Sequence, residues 1–193
     1  MIDPQFLPPA PPTLTTLRLR LRALRAEDAV ALFDVFADDE TMRYWSTPPH
    51  SSLAVTAKMV TEIIARNISN AGSEWAITSA DSDVAIGKIG HWQWQRTHSR
   101  SEIGFILRRD HWRRGLGVEA LRAAVGYGFT TLGLNSIEAQ LDAANTASAR
   151  TLERVGFRRE GCTRQSYFDG RNYGDTLIYG LLASEFSPVA LDA

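Results

Sequence analysis
The sequence predicts a mixed α/β (α+β) domain in which one sheet is covered by helices. Three observations carry this. Stretches that alternate with period two, or are rich in β-branched and aromatic residues, are interleaved with stretches whose apolar residues recur every three or four positions. In chain order they read strand, two helices, three strands, helix, strand, helix and then two or three more strands, with no internal repeat and no interdomain linker. The length of 193 residues suits one domain with a sizeable core.

Residues 1–13 hold Pro4, Pro8, Pro9, Pro11 and Pro12 and predict an extended, flexible arm; the domain proper spans 14–186 and a short tail 187–193. From Thr15 the run Leu17-Arg18-Leu19-Arg20-Leu21-Arg22 alternates strictly, which predicts a half-buried strand with its arginines outward. Glu27 and Asp28 open a helix through Phe36 with Ala29, Leu32, Phe33 and Phe36 on its apolar face, and Asp38-Asp39-Glu40 end it. After a loop containing Tyr44, Trp45 and Pro48-Pro49, a second helix runs from about Ser52 to Ser69 with Val55, Met59, Val60, Ile63 and Ile64 on one side. Tyr44 and Trp45 suit either a substrate pocket or the core.

Three strands follow, 74–78, 84–95 and 101–107, the first two joined by the turn 80–83, as an antiparallel meander. A helix over 117–131 presents Val118, Leu121, Val125 and Phe129 to the sheet. Strand 136–141, helix 146–155 and strand 157–163 come next, and a last pair, 165–168 and 176–182, flanks the turn Asp169-Gly170-Arg171.

Composition narrows the function. A net charge of −1 gives no general attraction for nucleic acid or anionic lipid. The arginine row of the first strand therefore reads as a solvated face. The N-terminus lacks the pattern of a signal peptide, no run approaches membrane-spanning length, and the single cysteine, Cys162, reads as a small packed residue of a cytoplasmic protein. His50, His91, His98 and His111 show no metal-ligand spacing with one another or with Cys162, so no metal is expected. His91, Trp92 and Trp94 read as sheet-face or core residues before groove residues.

The chemistry is concentrated at Trp112-Arg113-Arg114-Gly115-Leu116-Gly117-Val118, where glycines and arginines run into an amphipathic helix. Unpaired N–H groups at a helix start, approached across glycine, can hold a phosphate or diphosphate, and Arg113 and Arg114 add charged donors at the rim. A bare turn explains a lone Gly-x-Gly equally well. The spacing fits neither the Walker pattern nor the dinucleotide fingerprint, which needs its first glycine directly after a strand.

The flanking motifs decide the matter by resemblance. The chain resembles the GNAT superfamily of acyl-CoA-dependent N-acyltransferases, whose coenzyme A loop runs Gln/Arg-x-x-Gly-x-Gly/Ala; here Trp112 stands at the first position. Glu102-Ile103-Gly104-Phe105, Glu119-Ala120-Leu121, Asn145-Thr146-Ala147-Ser148, Glu153-Arg154-Val155-Gly156-Phe157 and the segment from Asp169 through Ile178-Tyr179 resemble its RimJ/RimL-like branch of ribosomal-protein N-terminal acetyltransferases. The resemblance covers residues 14–186. It implies a mostly antiparallel sheet of about seven strands and about four helices with splayed parallel strands at its centre. It also implies acetyl-CoA as co-substrate and direct attack by an amine.

Residue roles follow from that resemblance. The N–H groups of Arg114 to Val118, with Arg113 and Arg114, would hold the diphosphate, and main-chain groups of Phe105, Ile106 and Leu107 would bond the pantetheine arm and face the oxyanion. Glu102 is placed to accept the proton of the incoming ammonium; an ion pair with Arg100 or Arg109 is the plainer alternative. Leu152 stands where many members carry a tyrosine acid. Ser148, which matches a serine of the RimJ/RimL-like branch, is therefore expected to serve the departing thiolate. Asn145 either orients the arm or a water, or simply caps its helix. The acceptor is expected to be a peptide N-terminal amine or a small-molecule amine, with no nucleic acid or membrane partner. The proline arm points weakly to a homodimer. A non-catalytic coenzyme A-binding or sensing module is the competing class.

Overall fold
The computed structural model describes residues 10–168 and 172–187. One eight-stranded sheet has the order β1-β2-β3-β4-β5-β6-β8-β7. Its strands are β1 (Leu14–Thr15), β2 (Leu19–Ala23), β3 (Ser73–Ser79), β4 (Ala85–Gln95), β5 (Arg100–Leu107), β6 (Ser136–Asp142), β7 (Arg158–Phe168) and β8 (Tyr173–Leu182). The helices are α1 (Asp28–Phe36), α2 (Asp39–Met42), α3 (Leu53–Ile68), α4 (Leu116–Thr130) and α5 (Thr146–Val155). Every pairing is antiparallel except β5 with β6.

That parallel pair is short. It makes the rungs Arg100↔Ser136, Ser101↔Ile137 and Glu102↔Glu138 and then stops, although β5 runs on to Leu107 and β6 to Asp142. Beyond Glu102 each strand keeps only its outer neighbour, β4 for β5 and β8 for β6. The sheet is thus split along part of its length.

Alternate residues of the same strands feed two cores, one on each face. Trp75, Ile77, Ile89, Ile103 and Leu107 pack with Leu121 and Val125 of α4 and Leu152 of α5. Ala76 and Ile106 join Leu32 and Phe36 of α1, Met42 of α2 and Val60 and Ile63 of α3. On the first face His91 is fully buried: its Nε2 donates to the Ala124 carbonyl (2.9 Å) and its Nδ1 accepts from the Ser101 hydroxyl (2.9 Å). Burial holds it neutral, with a pKa lowered to about 4.

Several expectations need correction. The expected first strand is two pieces: the chain turns at Thr16, whose backbone N–H donates to the Leu19 carbonyl (2.9 Å), and leaves Leu17 66% exposed. The arginines are not a uniform solvated face. Arg22 is only 5% exposed, donates to both Asp28 oxygens (2.8 and 2.7 Å) and reaches Asp83 (2.7 Å). Asp38 does not merely end α1: its carboxylate accepts the Thr41 N–H (2.7 Å) and caps α2. Val55 of α3 is exposed, while the polar Thr56 and Asn67 are buried with Val60 and Ile63. The expected strands 157–163 and 165–168 form one strand, β7, irregular between Thr163 and Tyr167. Because β7 is an edge strand, Cys162 is exposed rather than packed. The turn 169–171, residues 1–9 of the proline arm and 188–193 of the tail lie outside the described residues.

The buried ion pair sets a stability expectation. Asp28→Asn leaves the Arg22 guanidinium buried with half its anionic partners, and is expected to lower the unfolding free energy by about 3 kcal/mol. Urea denaturation checks this; a loss under about 1 kcal/mol would show that water or Asp83 compensates.

Candidate active site
The split in the sheet opens a cavity of about 570 Å³. It is lined from the α4/α5 face by Asn145, Ser148 and Leu152, and from the opposite face by Tyr44, Trp45 and Ser46 of the loop after α2. Glu102, Gly104 and Phe105 of β5 and Gln140 and Asp142 of β6 form its two inner edges, with Tyr167 of β7 beside them. A passage lined from both faces exists because the ladder between β5 and β6 ends at Glu102.

The structure therefore brings Glu102, Asn145, Ser148 and Phe105 together. The side chains of Ile106 and Leu107 point away into the two cores; the main chain of Ile106 faces its partner Lys88 on β4, and that of Phe105 and Leu107 faces the split. Trp92, which the sequence reads as a sheet-face or core residue before a groove residue, and Tyr167, for which it offers no reading, also line the cavity.

Glu102 is half-buried. Loss of solvent pushes its carboxyl above the ordinary glutamate range, the nearby Glu138 adds to the rise, and a hydrogen bond from Trp92 works against it. Arg100 pairs with Glu138, not with Glu102. Asn145 accepts the Ser148 N–H through Oδ1 (3.1 Å), the capping contact that fixes the first turn of α5. Ser148 is thereby held in the cavity wall. The Tyr167 hydroxyl donates to Asp142 across the cavity's outer end.

The glycine loop lies at the start of α4. Arg113 (φ 59) and Gly115 (φ 78) are both left-handed, and helical pairing begins with Glu119 N–H to the Gly115 carbonyl (3.1 Å). Among the described residues, no protein acceptor serves the N–H groups of Arg113 through Val118. Gly117 faces Phe105 and Leu107 of β5, which a Cβ would meet at 3.6 and 3.7 Å. Trp112 ties the loop to the strand, its indole donating to the Leu107 carbonyl (2.7 Å).

A clamp from the far end of the sheet fixes this loop. Arg18 donates to the Arg114 carbonyl (2.8 Å) and to Glu119 (2.7 Å), and Glu119 also accepts from the Thr16 hydroxyl (2.6 Å) and the Arg18 N–H (2.8 Å). Burial pushes the Glu119 carboxyl up, but these hydrogen bonds outweigh it and hold the group below the ordinary range. Neither Arg18 nor Glu119 declared this role in the sequence.

These features fit a phosphorylated acyl carrier: a row of unpaired amides at a helix start, two arginines on the rim, and a slot between strands whose edges have no partner. They define an acyl-CoA-dependent N-acyltransferase that takes an acetyl group from acetyl-CoA. The model of the acetyltransferase (GNAT) domain matches residues 18–158, and the chain belongs to that family. It is 35% identical over 171 residues to the uncharacterized N-acetyltransferase YoaA of Bacillus subtilis, covering 89% of this chain and 97% of that one. Mycobacterium smegmatis RimJ in complex with CoA-disulfide shares the fold (TM-score 0.81, 21% identity, 92% of this chain and 90% of that one). So does spermidine N-acetyltransferase from Vibrio cholerae in complex with CoA and spermine (TM-score 0.78, 23% identity, 88% and 98%). No helix among the described residues is long and apolar enough to cross a membrane.

The clamp yields a two-part expectation. Because Glu119 has a lower pKa folded than unfolded, its contribution to stability is full above about pH 4.3 and is lost as pH falls through the folded value. Glu119→Gln should therefore flatten the decline in melting temperature on the acid side and weaken acetyl-CoA binding by about tenfold. Calorimetry showing unchanged affinity would mean that the loop holds its shape without the clamp.

Proposed function
We propose that the acceptor is a primary amine, either the α-amino group of a peptide, as in the RimJ/RimL-like branch, or a small-molecule amine, and that it attacks the thioester directly. The observation that carries this reading is the cavity through the sheet, which sets Ser148 and Asn145 on one side of the split and the Glu102 edge toward the other. An α-amino group, with an ordinary pKa of about 7.7–8.0, surrenders its proton more readily than a lysine near 10.4.

Acetyl-CoA, when bound, supplies the acyl group as an activated thioester. The amides of Arg114 to Val118 hold its diphosphate, with Arg113 and Arg114 at the rim. The edge of β5 that faces the split, at Phe105 and Leu107, bonds the pantetheine arm and supplies an N–H for the carbonyl oxygen, where negative charge develops. Glu102 accepts the ammonium proton, directly or through a water. The Ser148 hydroxyl serves the departing sulfur, and Asn145 positions Ser148 through its cap.

The same reading places the protein in the cytoplasm, where a lone exposed thiol stays reduced, with residues 14–186 as the catalytic domain. A homodimer belongs to the same proposal.

Glu102→Gln is expected to lower kcat by about 100-fold. The base works only when ionised, so kcat/KM should rise with pH along a limb whose midpoint lies above the ordinary glutamate value of about 4.3, and the substitution should erase that limb. Ser148→Ala is expected to lower kcat about tenfold while leaving acetyl-CoA affinity unchanged. Stopped assays of thiol release with peptide and small-amine acceptors test both. Full turnover by either variant removes that residue from the mechanism.

A further inference from the structure
The cavity through the sheet carries charge of one sign. Among the described residues that line it, Glu102 and Asp142 are carboxylates, and none is a lysine, arginine or histidine. Arg100, at the closed end of the split, is bonded to Glu138, and Arg43, over the Tyr44 ring, pairs with Glu40 (3.6 Å). The chemistry above uses Glu102 and leaves Asp142 without a task.

Asp142 is the last residue of β6. Ile137, Ala139 and Leu141 pack toward α4 and α5, so by alternation Glu138, Gln140 and Asp142 face the other way, on the side of Tyr44 and Trp45. Ser148 enters from the α5 side, so a group held at Asp142 does not compete with the carrier's sulfur. Two contacts fix the carboxylate: the Ala144 N–H donates to Oδ1 (2.7 Å) and the Tyr167 hydroxyl to Oδ2. Tyr167 reaches it because its cross-strand partner, Gly174, has no side chain; a Cβ there would fall 2.4 Å from the ring.

Both of those donors are neutral, and among the described residues no cation pairs with Asp142. A carboxylate offers about four lone-pair positions, so acceptor capacity remains as well as charge. The wall beside it is rich in oxygen. Thr176, the partner of Asp142 on β8, pairs its hydroxyl with that of Ser166 (2.6 Å), and both line the cavity. Acceptors of this kind beside aromatic rings favour an alkylammonium or guanidinium group. Register gives the spacing: Glu138 is the rung partner of Glu102, and Asp142 lies about 13 Å further along β6 at roughly 3.3 Å per residue.

We propose that Asp142, held by Tyr167, is the subsite for a second cation of the acceptor, so that the substrate is an amine with a further positive charge several bonds from the nitrogen that is acetylated. The inference rests on the reading of the split as an amine acetylation site. Glu102 meets the reacting ammonium at one end and Asp142 the second cation at the other. A long diamine and a peptide with a basic side chain after its N-terminus share this chemistry.

The test uses the intact protein and two matched pairs of acceptors: octamethylenediamine against nonylamine, and a peptide with lysine as second residue against the same peptide with norleucine there. Each pair removes the second ammonium and keeps an apolar chain. In at least one pair the charged member should show a kcat/KM about tenfold higher, the scale of one charge-assisted hydrogen bond. Asp142→Asn keeps an acceptor for Ala144 and Tyr167 and should bring that ratio to about one. Tyr167→Phe frees the carboxylate to swing and should lower the ratio about threefold. Calorimetry with the wild-type protein saturated with coenzyme A reads the same preference without turnover.

A preference confined to the diamine assigns a small amine, and one confined to the lysine peptide assigns a basic peptide terminus. A ratio near one in wild type for both pairs, by turnover and by binding, overturns the inference, as does a preference that survives both substitutions. Tighter binding of the charged members with no thiol release from either would overturn the reading of the split as an acetylation site instead, leaving the subsite intact.

Discussion

The ladder between β5 and β6 ends after its third rung, and the active site exists because of that. β6 stays paired with β8 along its whole length, from Ser136 to Asp142, and β5 stays paired with β4 from Arg100 to Leu107. Two internally bonded half-sheets therefore meet over three rungs and then part. Backbone groups on the facing edges cannot be left both dry and unpaired, so the split is stable only where water or a ligand with amide groups can enter it. The Arg100–Glu138 ion pair sits at the closed end of the wedge. α4 packs under both halves, touching Ile103 and Leu107 on one side and Ile137 on the other.

Buried charge in this protein is organised to hold that arrangement rather than to add bulk stability. Arg22 joins the end of β2 to the start of α1 and to the turn before β4 through Asp28 and Asp83. Glu74 joins α3 to β3 and β4, and Glu119 joins the first turn of α4 to Thr16 and Arg18. Glu74 has donors on two separate elements, α3 and β4, whereas Glu119 takes its donors from the one segment that holds Thr16 and Arg18. Replacing such a network with apolar packing is often neutral for stability, which makes its geometric role the more informative one. The Glu119 network fixes the start of α4, which carries the amide row, and the Glu74 network fixes β4, whose Trp92 borders the cavity.

How much of this was legible depended on sequence separation. α5 was read to its ends because its signals are local: Asn145 caps one end, and Gly156 takes the left-handed conformation (φ 113) at the other. Glu102, Ser148 and Asn145 could be named because they stand in short motifs. Glu119 could not be recognised as a keystone, since its partners Thr16 and Arg18 lie 103 and 101 residues away. Strict alternation misled at Leu17 and Arg22: a buried carboxylate pair draws an arginine inward, and a turn at Thr16 breaks the period. Cys162 was misplaced because no local pattern shows that β8 inserts between β6 and β7 and leaves β7 at the edge.

The departure from the family loop at Trp112 has a mechanical reading of the same kind. The amide row is useful only if it keeps its place relative to the slot, and the slot's near wall is β5. Trp112 spans that gap, hydrogen bonding the last carbonyl of β5 while its neighbours Arg113 and Gly115 turn left-handed. On the other side Arg18 grips the Arg114 carbonyl. Left-handed backbone at a non-glycine costs about 1 kcal/mol and persists where its surroundings over-determine it. Two side-chain donors, one from each flank, supply that constraint. The loop is therefore shaped before any ligand arrives, and binding need not bear the cost of folding it.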